Sequence, residues 1–239
     1  MSEKAKEFID LYNELDSSLK KILKLREEDG FSSKVDRAKN ENLITTKQKE
    51  LLLLIGRLRN AIIHDDKHKY PDDPIAEPHP ETIERLRQLK EIIENPPTVD
   101  LLPKNKPIPF KASDLLLDCL EYMRQNDFSQ VVAFSDPTYA LITREDIARW
   151  FETQIEKKEI VVSLEDVRLA EILSLDDKDD CKFLARTAHL TELVEKFESQ
   201  GRTRIAAVLI TNNGKATETP LNIFTQYDIP DIISKIDTF

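Results

Sequence analysis

The alternation of apolar and polar positions repeats itself in the second half of the chain. The first copy spans residues 128–151 and the second spans residues 202–233. Each copy has an apolar run, a polar loop, a second apolar run and then a Thr-x-x-Asp quartet that opens an amphipathic segment. The quartets begin at Thr143 and Thr225, 82 residues apart. Short apolar runs predict strands and helical spacing predicts helices, so the pattern indicates a duplicated structural unit.

The predicted elements of the two copies follow the same order. In the first copy they are a strand at 108–111, a helix at 113–125, strands at 129–134 and 139–142, and a helix at 144–156. In the second copy they are an entry helix at 167–173, a strand at 183–186, a helix at 190–199, strands at 204–211 and 221–224, and a helix at 229–235. Each sheet has an apolar face that must be covered. We therefore expect the two copies to pack face to face about a pseudo-twofold axis.

The first 97 residues show helical periodicity instead. Apolar residues lie on one face of a predicted helix over residues 3–28, and residues 31–42 are predicted to hold a turn or a short helix. A second long helix is expected from Thr45 or Thr46 to about residue 65, and a third over residues 81–94. The predicted fold class is α+β. An α-helical bundle at 1–97 is followed by a linker at 98–107 and by βαββα units at 108–160 and 161–239.

Charge separates the two halves. Residues 1–97 carry 18 Lys and Arg against 20 Asp and Glu, whereas residues 98–239 carry 17 against 25. The acidic second half should repel a nucleic-acid backbone, because such binding depends on phosphate neutralisation. Any RNA is therefore expected at the helical half. The four glycines form no glycine-rich phosphate loop.

The remaining composition points to a cytoplasmic protein. Cys119 and Cys181 lie in apolar patterns, which favours reduced thiols over a disulfide or a metal site. The charged N-terminus has no signal-peptide core, and the longest apolar run, Leu51–Ile55, is too short to span a bilayer. We expect no metal ion.

The repeated unit resembles a tandem pair of CBS domains, known as a Bateman module, over residues 108–236. The resemblance rests on the order of the elements and on the two Thr-x-x-Asp quartets at strand-to-helix junctions. Members of this family bind adenine nucleotides or related adenosyl ligands in clefts between the two units. The resemblance implies that AMP, ADP or ATP is a regulatory ligand and that the chain forms a homodimer.

The family pattern assigns roles to particular residues. Asp146 and Asp228 would accept hydrogen bonds from ribose hydroxyls, and Thr143 and Thr225 would lie close to phosphates. A carboxylate can accept two hydrogen bonds from a vicinal diol, and a helix N-terminus offers free N–H groups to phosphate. The resemblance adds further basic and strand-edge positions to the ligand sites. These are Arg144, Arg204, Thr187 in the strand edge Ala185–Thr187, and Lys111 in the strand edge Phe110–Ala112.

The same quartets are open to another interpretation. Thr-x-x-Asp before an apolar run is also an N-terminal helix cap, and one residue pair can serve as a cap and as a ligand site. The chain also departs from the family pattern. Ala140 and Asn222 stand where the family usually has glycine, Val132 and Ala206 stand where it has proline, and Gln226 rather than a basic residue follows Thr225.

A second motif occurs in the helical half. Arg59-Asn60-Ala61-Ile62-Ile63-His64 resembles the Arg-x4-His signature of HEPN domains, many of which are metal-independent ribonucleases that act as dimers. The resemblance implies that His64 is a general acid or base, that Arg59 stabilises phosphate charge and that Asn60 orients the histidine or the substrate. The alternative is that Asn60 and His64 are a polar pair that caps the helix end or stabilises a dimer interface.

Three functions follow from these patterns. The first is a regulatory CBS pair that senses an adenine nucleotide and controls the helical domain. The second is a HEPN-type endoribonuclease gated by the CBS pair, and the third is a non-catalytic scaffold in which large residues such as Tyr139 or Phe224 fill the ligand sites. The sequence alone leaves open which nucleotide binds and whether one or both clefts are used.

Overall fold

A computed structural model describes residues 2–26, 28–63, 76–156, 164–175, 181–198 and 205–238. The chain divides into two compact units. The helical unit comprises residues 1–97, 189–192 and 234–239, and the mixed unit comprises residues 98–188 and 193–233. His64 and Arg204, two of the predicted site residues, lie outside the described residues.

In its described residues, the helical unit contains four helices from the N-terminal half of the chain. They are α1 (Glu3–Ile22), α2 (Phe31–Asn40), α3 (Thr46–Ile63) and α4 (Pro80–Glu94). Helix α1 ends before the predicted residue 28, because Lys24 adopts a positive φ of 50° and turns the chain. Residues 31–40, where a turn or a short helix was expected, form α2.

A reciprocal cap fixes the start of α3. The Thr45 hydroxyl accepts a hydrogen bond from Gln48 N at 3.2 Å, and Gln48 Oε1 accepts one from Thr45 N at 2.9 Å. The backbone N–H groups of Thr45 and Gln48, which have no partner within the helix, are thereby both hydrogen-bonded, as in a capping box. Thr45, rather than Thr46, is therefore the N-cap residue.

One apolar core holds these four helices together. The buried face of α1 includes Phe8, Leu15 and Leu19, which are fully buried, and Leu52, Ile55 and Leu86 join them from α3 and α4. These residues follow the helical spacing of the sequence, so the pattern that predicts the helices also identifies their inward faces.

The mixed unit is built from two βαββα repeats. The first contains β1 (Phe110–Lys111), α5 (Leu116–Gln125), β2 (Gln130–Ser135), β3 (Thr138–Thr143) and α6 (Arg144–Glu156). After α7 (Leu169–Leu173), the second contains β4 (Cys181–Ala185), α8 (Leu190–Glu198), β5 (Ala207–Thr211), β6 (Asn222–Thr225), a 3-10 turn (Gln226–Asp228) and α9 (Ile229–Thr238). The predicted α+β fold class, a helical bundle followed by repeated βαββα units, is confirmed.

The two sheets share one topology. In each, the first strand pairs in parallel with the second, and the second pairs antiparallel with the third. Val132 and Leu141 of the first sheet pack against Ala207 and Leu209 of the second. The sheets therefore cover each other's apolar faces, as the alternating pattern predicts.

The long loop after β5 is anchored at two points. Gly214 has a φ of +74°, and a Cβ built there would lie 3.0 Å from Ala185 N, so the turn requires glycine. Further along the loop, Ala216 O accepts a hydrogen bond from Tyr139 N at 2.7 Å.

Cys119 and Cys181 form no disulfide bond. Cys119 is fully buried, and burial raises its pKa to about 11, whereas Cys181 is half-buried. Among the described residues, no helix is both long and apolar enough to cross a lipid bilayer.

Candidate functional site

Both Thr-x-x-Asp quartets form the same hydrogen-bonded cap. Asp146 Oδ2 accepts from Thr143 N at 2.8 Å and from Thr143 Oγ1 at 2.9 Å, and Asp228 Oδ2 accepts from Thr225 N at 2.7 Å and from Thr225 Oγ1 at 3.0 Å. The capping interpretation thus describes the local geometry of both quartets. Since every one of these bonds ends on Oδ2, Oδ1 of each aspartate remains available to a further donor.

The surroundings of the two aspartates differ. Asp146 is buried, with 6% of its surface exposed, whereas Asp228 is half-buried. Asp228 lines a cleft of about 360 Å³, which we call the Asp228 cleft. Asp146 lines neither this cleft nor its neighbour described below.

The Asp228 cleft is formed by segments that are distant in sequence. Its walls come from residues 105–108, from Tyr122 and Phe128 around α5, from residues 129–132 at the start of β2, and from β6 together with the turn that follows it. The ring centroids of Tyr122 and Phe128 are 5.8 Å apart, and Phe128 is 43% exposed. Lys106 is a cation in the lining, and Asp127 is a second carboxylate there.

A neighbouring cleft of about 290 Å³ lies between the two quartets, and we call it the central cleft. Thr143, Arg144, Thr225 and Gln226 line it, so the N-terminal turn of α6 and the turn before α9 both border the same space. It shares Thr225, Tyr227, Ser129 and Gln130 with the Asp228 cleft. One elongated ligand could therefore occupy parts of both clefts.

Strand register separates Lys111 and Thr187 from these clefts. Thr143 pairs with Gln130 at the start of β2, whereas Lys111 pairs with Phe134 near its other end. In the second sheet, Thr225 pairs with Ala207, whereas Ala185, two residues before Thr187, pairs with Thr211 at the far end of β5. The structure thus places both residues away from the quartets, and they line neither cleft.

Asn222 occupies the position where the family usually has glycine. Its side chain is buried, accepts a hydrogen bond from Asn105 N at 2.7 Å and donates one to Pro103 O at 2.9 Å. These bonds fix the segment that carries Lys106 into the cleft. The sequence pattern predicts only a linker over residues 98–107 and identifies neither Lys106 nor the aromatic wall as part of a site. The position of this segment directly before the first strand of the repeat was the available signal.

The large residues expected in a scaffold lie elsewhere. Phe224 is 6% exposed within the second sheet, and the Tyr139 ring packs against Phe134 at a centroid distance of 4.8 Å. Neither residue lines the Asp228 cleft, which remains open.

The helical motif has a different setting. The Arg59 guanidinium lies 5.6 Å from the centre of the Tyr12 ring, and Arg59 Nη1 donates to Asn60 Oδ1 at 3.2 Å. Arg59 Nε is buried without a hydrogen-bond partner among the described residues, whereas Asn60 is exposed. Because His64 lies outside the described residues, the ribonuclease arrangement stays a prediction. The part of the chain that is described contains no cluster of His, Cys, Asp and Glu able to hold a metal ion.

No protein-family model and no curated protein matches this chain. Solved structures are similar to it at low identity. A putative acetoin utilization protein from Vibrio cholerae is 15% identical, with a TM-score of 0.43, covering 58% of this chain and 91% of its own. CbpB in complex with c-di-AMP is 14% identical, with a TM-score of 0.46, covering 64% and 93%. CBSX2 in complex with AMP is 14% identical, with a TM-score of 0.40, covering 59% and 98%.

Proposed function

We propose that the mixed unit is a CBS pair that binds an adenine nucleotide or a related adenosyl ligand in the Asp228 cleft. The observation that carries this proposal is the position of Asp228, half-buried at the end of β6 and facing a cleft of about 360 Å³. This volume falls within the range of small-molecule sites.

The lining of the cleft suits the three parts of a nucleotide. Oδ1 of Asp228 can accept hydrogen bonds from ribose hydroxyls while Oδ2 continues to cap the helix. The exposed face of Phe128, beside Tyr122, offers a surface for a flat base, and stacking on an aromatic ring stabilises a base by about 1–3 kcal/mol.

Phosphate groups would extend toward the central cleft. Lys106 lies in the Asp228 cleft and Arg144 in the central cleft, and the two helix-opening turns meet there. Backbone N–H groups at the start of a helix favour negative charge. Arg144 now lies 3.7 Å from Asp127 in an exposed ion pair, which contributes little to stability and can be exchanged for a phosphate contact.

Thermal unfolding with added ligand tests the proposal. The first probes are AMP and c-di-AMP, which are named as ligands of two structural neighbours, followed by ADP, ATP and S-adenosylmethionine. A ligand at a hundred times its Kd adds about 2.7 kcal/mol to the stability of the folded state, which should raise the midpoint by roughly 5 °C or more.

The Asp228→Ala variant should lose this shift, and Asp146→Ala is the matched control because it removes the equivalent cap from the other repeat. No shift with any probe, or equal loss in both variants, would contradict the proposed site.

We further propose that ligand binding regulates the helical domain. A ligand changes a conformational equilibrium only if it binds one state more tightly than the other. Amide hydrogen exchange in α1–α4 should therefore change when the nucleotide is added to the full chain. Unchanged exchange in these helices at saturating ligand would contradict the regulatory role while leaving ligand binding intact. Homodimerisation and RNA binding by the helical unit stay predictions.

A further inference from the structure

The loop between β5 and β6, residues 212–221, contains an Asn-Gly step that the proposed function does not use. The step is Asn213-Gly214, and Asn213 is exposed to solvent. In such a step the backbone nitrogen of the glycine can attack the side-chain carbonyl carbon of the asparagine, because glycine has no Cβ to obstruct the approach. Asn213 is therefore a candidate site of spontaneous deamidation.

The reaction at this step would proceed through a cyclic intermediate. The Gly214 nitrogen forms a bond to Asn213 Cγ and loses its proton, and the bond between Cγ and Nδ2 breaks, so that the side-chain amide leaves as ammonia. Water then opens the resulting succinimide at either of its carbonyl carbons. The product carries aspartate or isoaspartate in place of Asn213, and the only reagent consumed is water.

Glu218 binds Asn213 through both of its carboxylate oxygens. Asn213 N donates to Glu218 Oε2 at 2.7 Å, and Asn213 Nδ2 donates to Glu218 Oε1 at 2.6 Å. The hydrogen bonds from Asn213 hold the pKa of the Glu218 carboxyl below its usual value, so this group is ionised at neutral pH. Hydrogen bonds to an ionised acceptor are the stronger kind. The Asn213 side chain is therefore fixed relative to its own backbone.

This double contact opposes deamidation in two ways. The attack requires the side-chain torsions of Asn213 to bring Cγ to the Gly214 nitrogen, and the bond from Nδ2 to Glu218 restrains those torsions. The departing amide must also take up a proton, and an ionised carboxylate has none to give. The backbone is restrained as well, since Gly214 has a φ of +74° and packs closely against Ala185 N.

The same loop contacts the first repeat. Ala216 O accepts a hydrogen bond from Tyr139 N of β3 at 2.7 Å, and Tyr139 Oη lies 3.4 Å from Thr219 Oγ1. A carboxylate at position 213 would lose the Nδ2 donor and would face the like charge of Glu218. The repulsion would loosen the loop that holds Tyr139.

We propose that Asn213 is a site of spontaneous deamidation and that Glu218 slows the reaction in the folded chain. Conversion of Asn213 to aspartate or isoaspartate then weakens the contact between this loop and β3. The modification lies outside both clefts, because no residue of the loop lines either of them. It is therefore independent of the ligand proposed for the Asp228 cleft.

Peptide mass spectrometry after incubation at mildly alkaline pH tests the protective role. Glu218→Ala removes both acceptors, and Glu218→Gln keeps one. Deamidation at Asn213 should be about tenfold faster in Glu218→Ala than in the wild type, as expected for the loss of a hydrogen bond to a charged group, with Glu218→Gln between them. Asn212 is the internal control, because it lies in the same peptide and is followed by asparagine rather than glycine.

The wild type in urea gives the rate without the folded structure, and circular dichroism identifies a variant that has unfolded. If Glu218→Ala unfolds, Glu218→Gln carries the comparison. An unchanged or lower rate in the folded Glu218 variants, or a wild-type rate that is the same folded and in urea, would overturn the protective role. No reaction at Asn213 in urea would overturn the site itself.

Amide hydrogen exchange tests the effect on β3. Asn213→Asp reproduces one product, and Asn212→Asp is the matched control because it places the same charge on the exposed neighbouring residue. The Tyr139 amide should exchange about tenfold faster in Asn213→Asp, as expected for a weakened hydrogen bond, and as slowly as in the wild type in Asn212→Asp. Unchanged exchange in Asn213→Asp, or equal acceleration in both variants, would overturn the proposed link to β3.

Discussion

The residues that decide the function are few, and their surroundings matter more than their identity. Asp146 and Asp228 cap their helices with the same geometry, but Asp228 lines the Asp228 cleft, whereas Asp146 lines neither that cleft nor the central cleft. The sequence predicts both quartets because capping is a local interaction between residues three positions apart. It could not predict which aspartate is accessible, because residues 105–108 and Tyr122, which are remote in sequence, shape the cleft around Asp228.

Arg59 shows the same limit in the helical unit. Its spacing from His64 suggests a catalytic pair, but the structure places its guanidinium against the Tyr12 ring and buries Nε. A sequence motif gives no information about a ring contributed by another helix, so this contact could not be foreseen.

Tyr12 should make stability depend on alkaline pH. Burial, followed by the nearby Asp16 carboxylate, raises the pKa of Tyr12 to about 12, and Arg59 partly opposes the shift. Because the pKa is higher in the folded state, the stabilisation is complete below pH 10 and is lost as the pH rises from 10 to about 12. Urea unfolding should show that the difference in free energy of unfolding between the wild type and Tyr12→Phe changes by about 2 kcal/mol over this pH interval. If the free energies of unfolding of the two proteins changed in parallel with pH, Tyr12 would have the same pKa in the folded and unfolded states, which would contradict the prediction.

At the level of elements, the segment before β1 has a larger role than its composition indicates. Its prolines and lysines predict an extended linker, but a 3-10 helix at Val99–Leu101 interrupts this linker, and residues 102–109 lie in neither a helix nor a strand. The side chain of Asn222 in β6 nevertheless binds Pro103 O and Asn105 N across the chain. Long-range contacts of this kind leave no periodic signal, whereas the strands and helices themselves follow the local apolar pattern and were predicted within a few residues.

Removing the Asn222 side chain should release this segment. We expect Asn222→Ala to lower the free energy of unfolding by about 1–2 kcal/mol, because two backbone groups lose their partners. It should also weaken nucleotide binding, since Lys106 would no longer be held in the cleft. Asn105→Ala is the matched control for stability, because only the backbone N–H of Asn105 takes part in the bond. Equal destabilisation by the two substitutions in urea unfolding would contradict the role of Asn222.

For the whole molecule, the sequence predicts the class of fold and the repeated architecture. Two copies of one apolar pattern produce two sheets of identical topology, whose Val132, Leu141, Ala207 and Leu209 form a shared core. The compact units, however, are discontinuous along the chain, since residues 189–192 and 234–239 belong to the helical unit. Periodicity within a segment cannot show which unit its ends join.

The central claim is that Asp228 holds the ligand through its ribose. Isothermal titration at 25 °C with the nucleotide that gives the largest thermal shift tests this claim on the wild type, Asp228→Asn and Asp146→Asn. Asparagine keeps a capping oxygen at both positions, so each variant differs from the wild type mainly in the loss of a charged acceptor.

We expect Asp228→Asn to weaken binding by about tenfold or more and Asp146→Asn to change it by less than about twofold. The 2′-deoxy form of the same nucleotide should bind the wild type more weakly and should lose less affinity in Asp228→Asn. Equal affinities for wild type and Asp228→Asn, or a larger loss in Asp146→Asn, would contradict the assignment of the ligand to the Asp228 cleft.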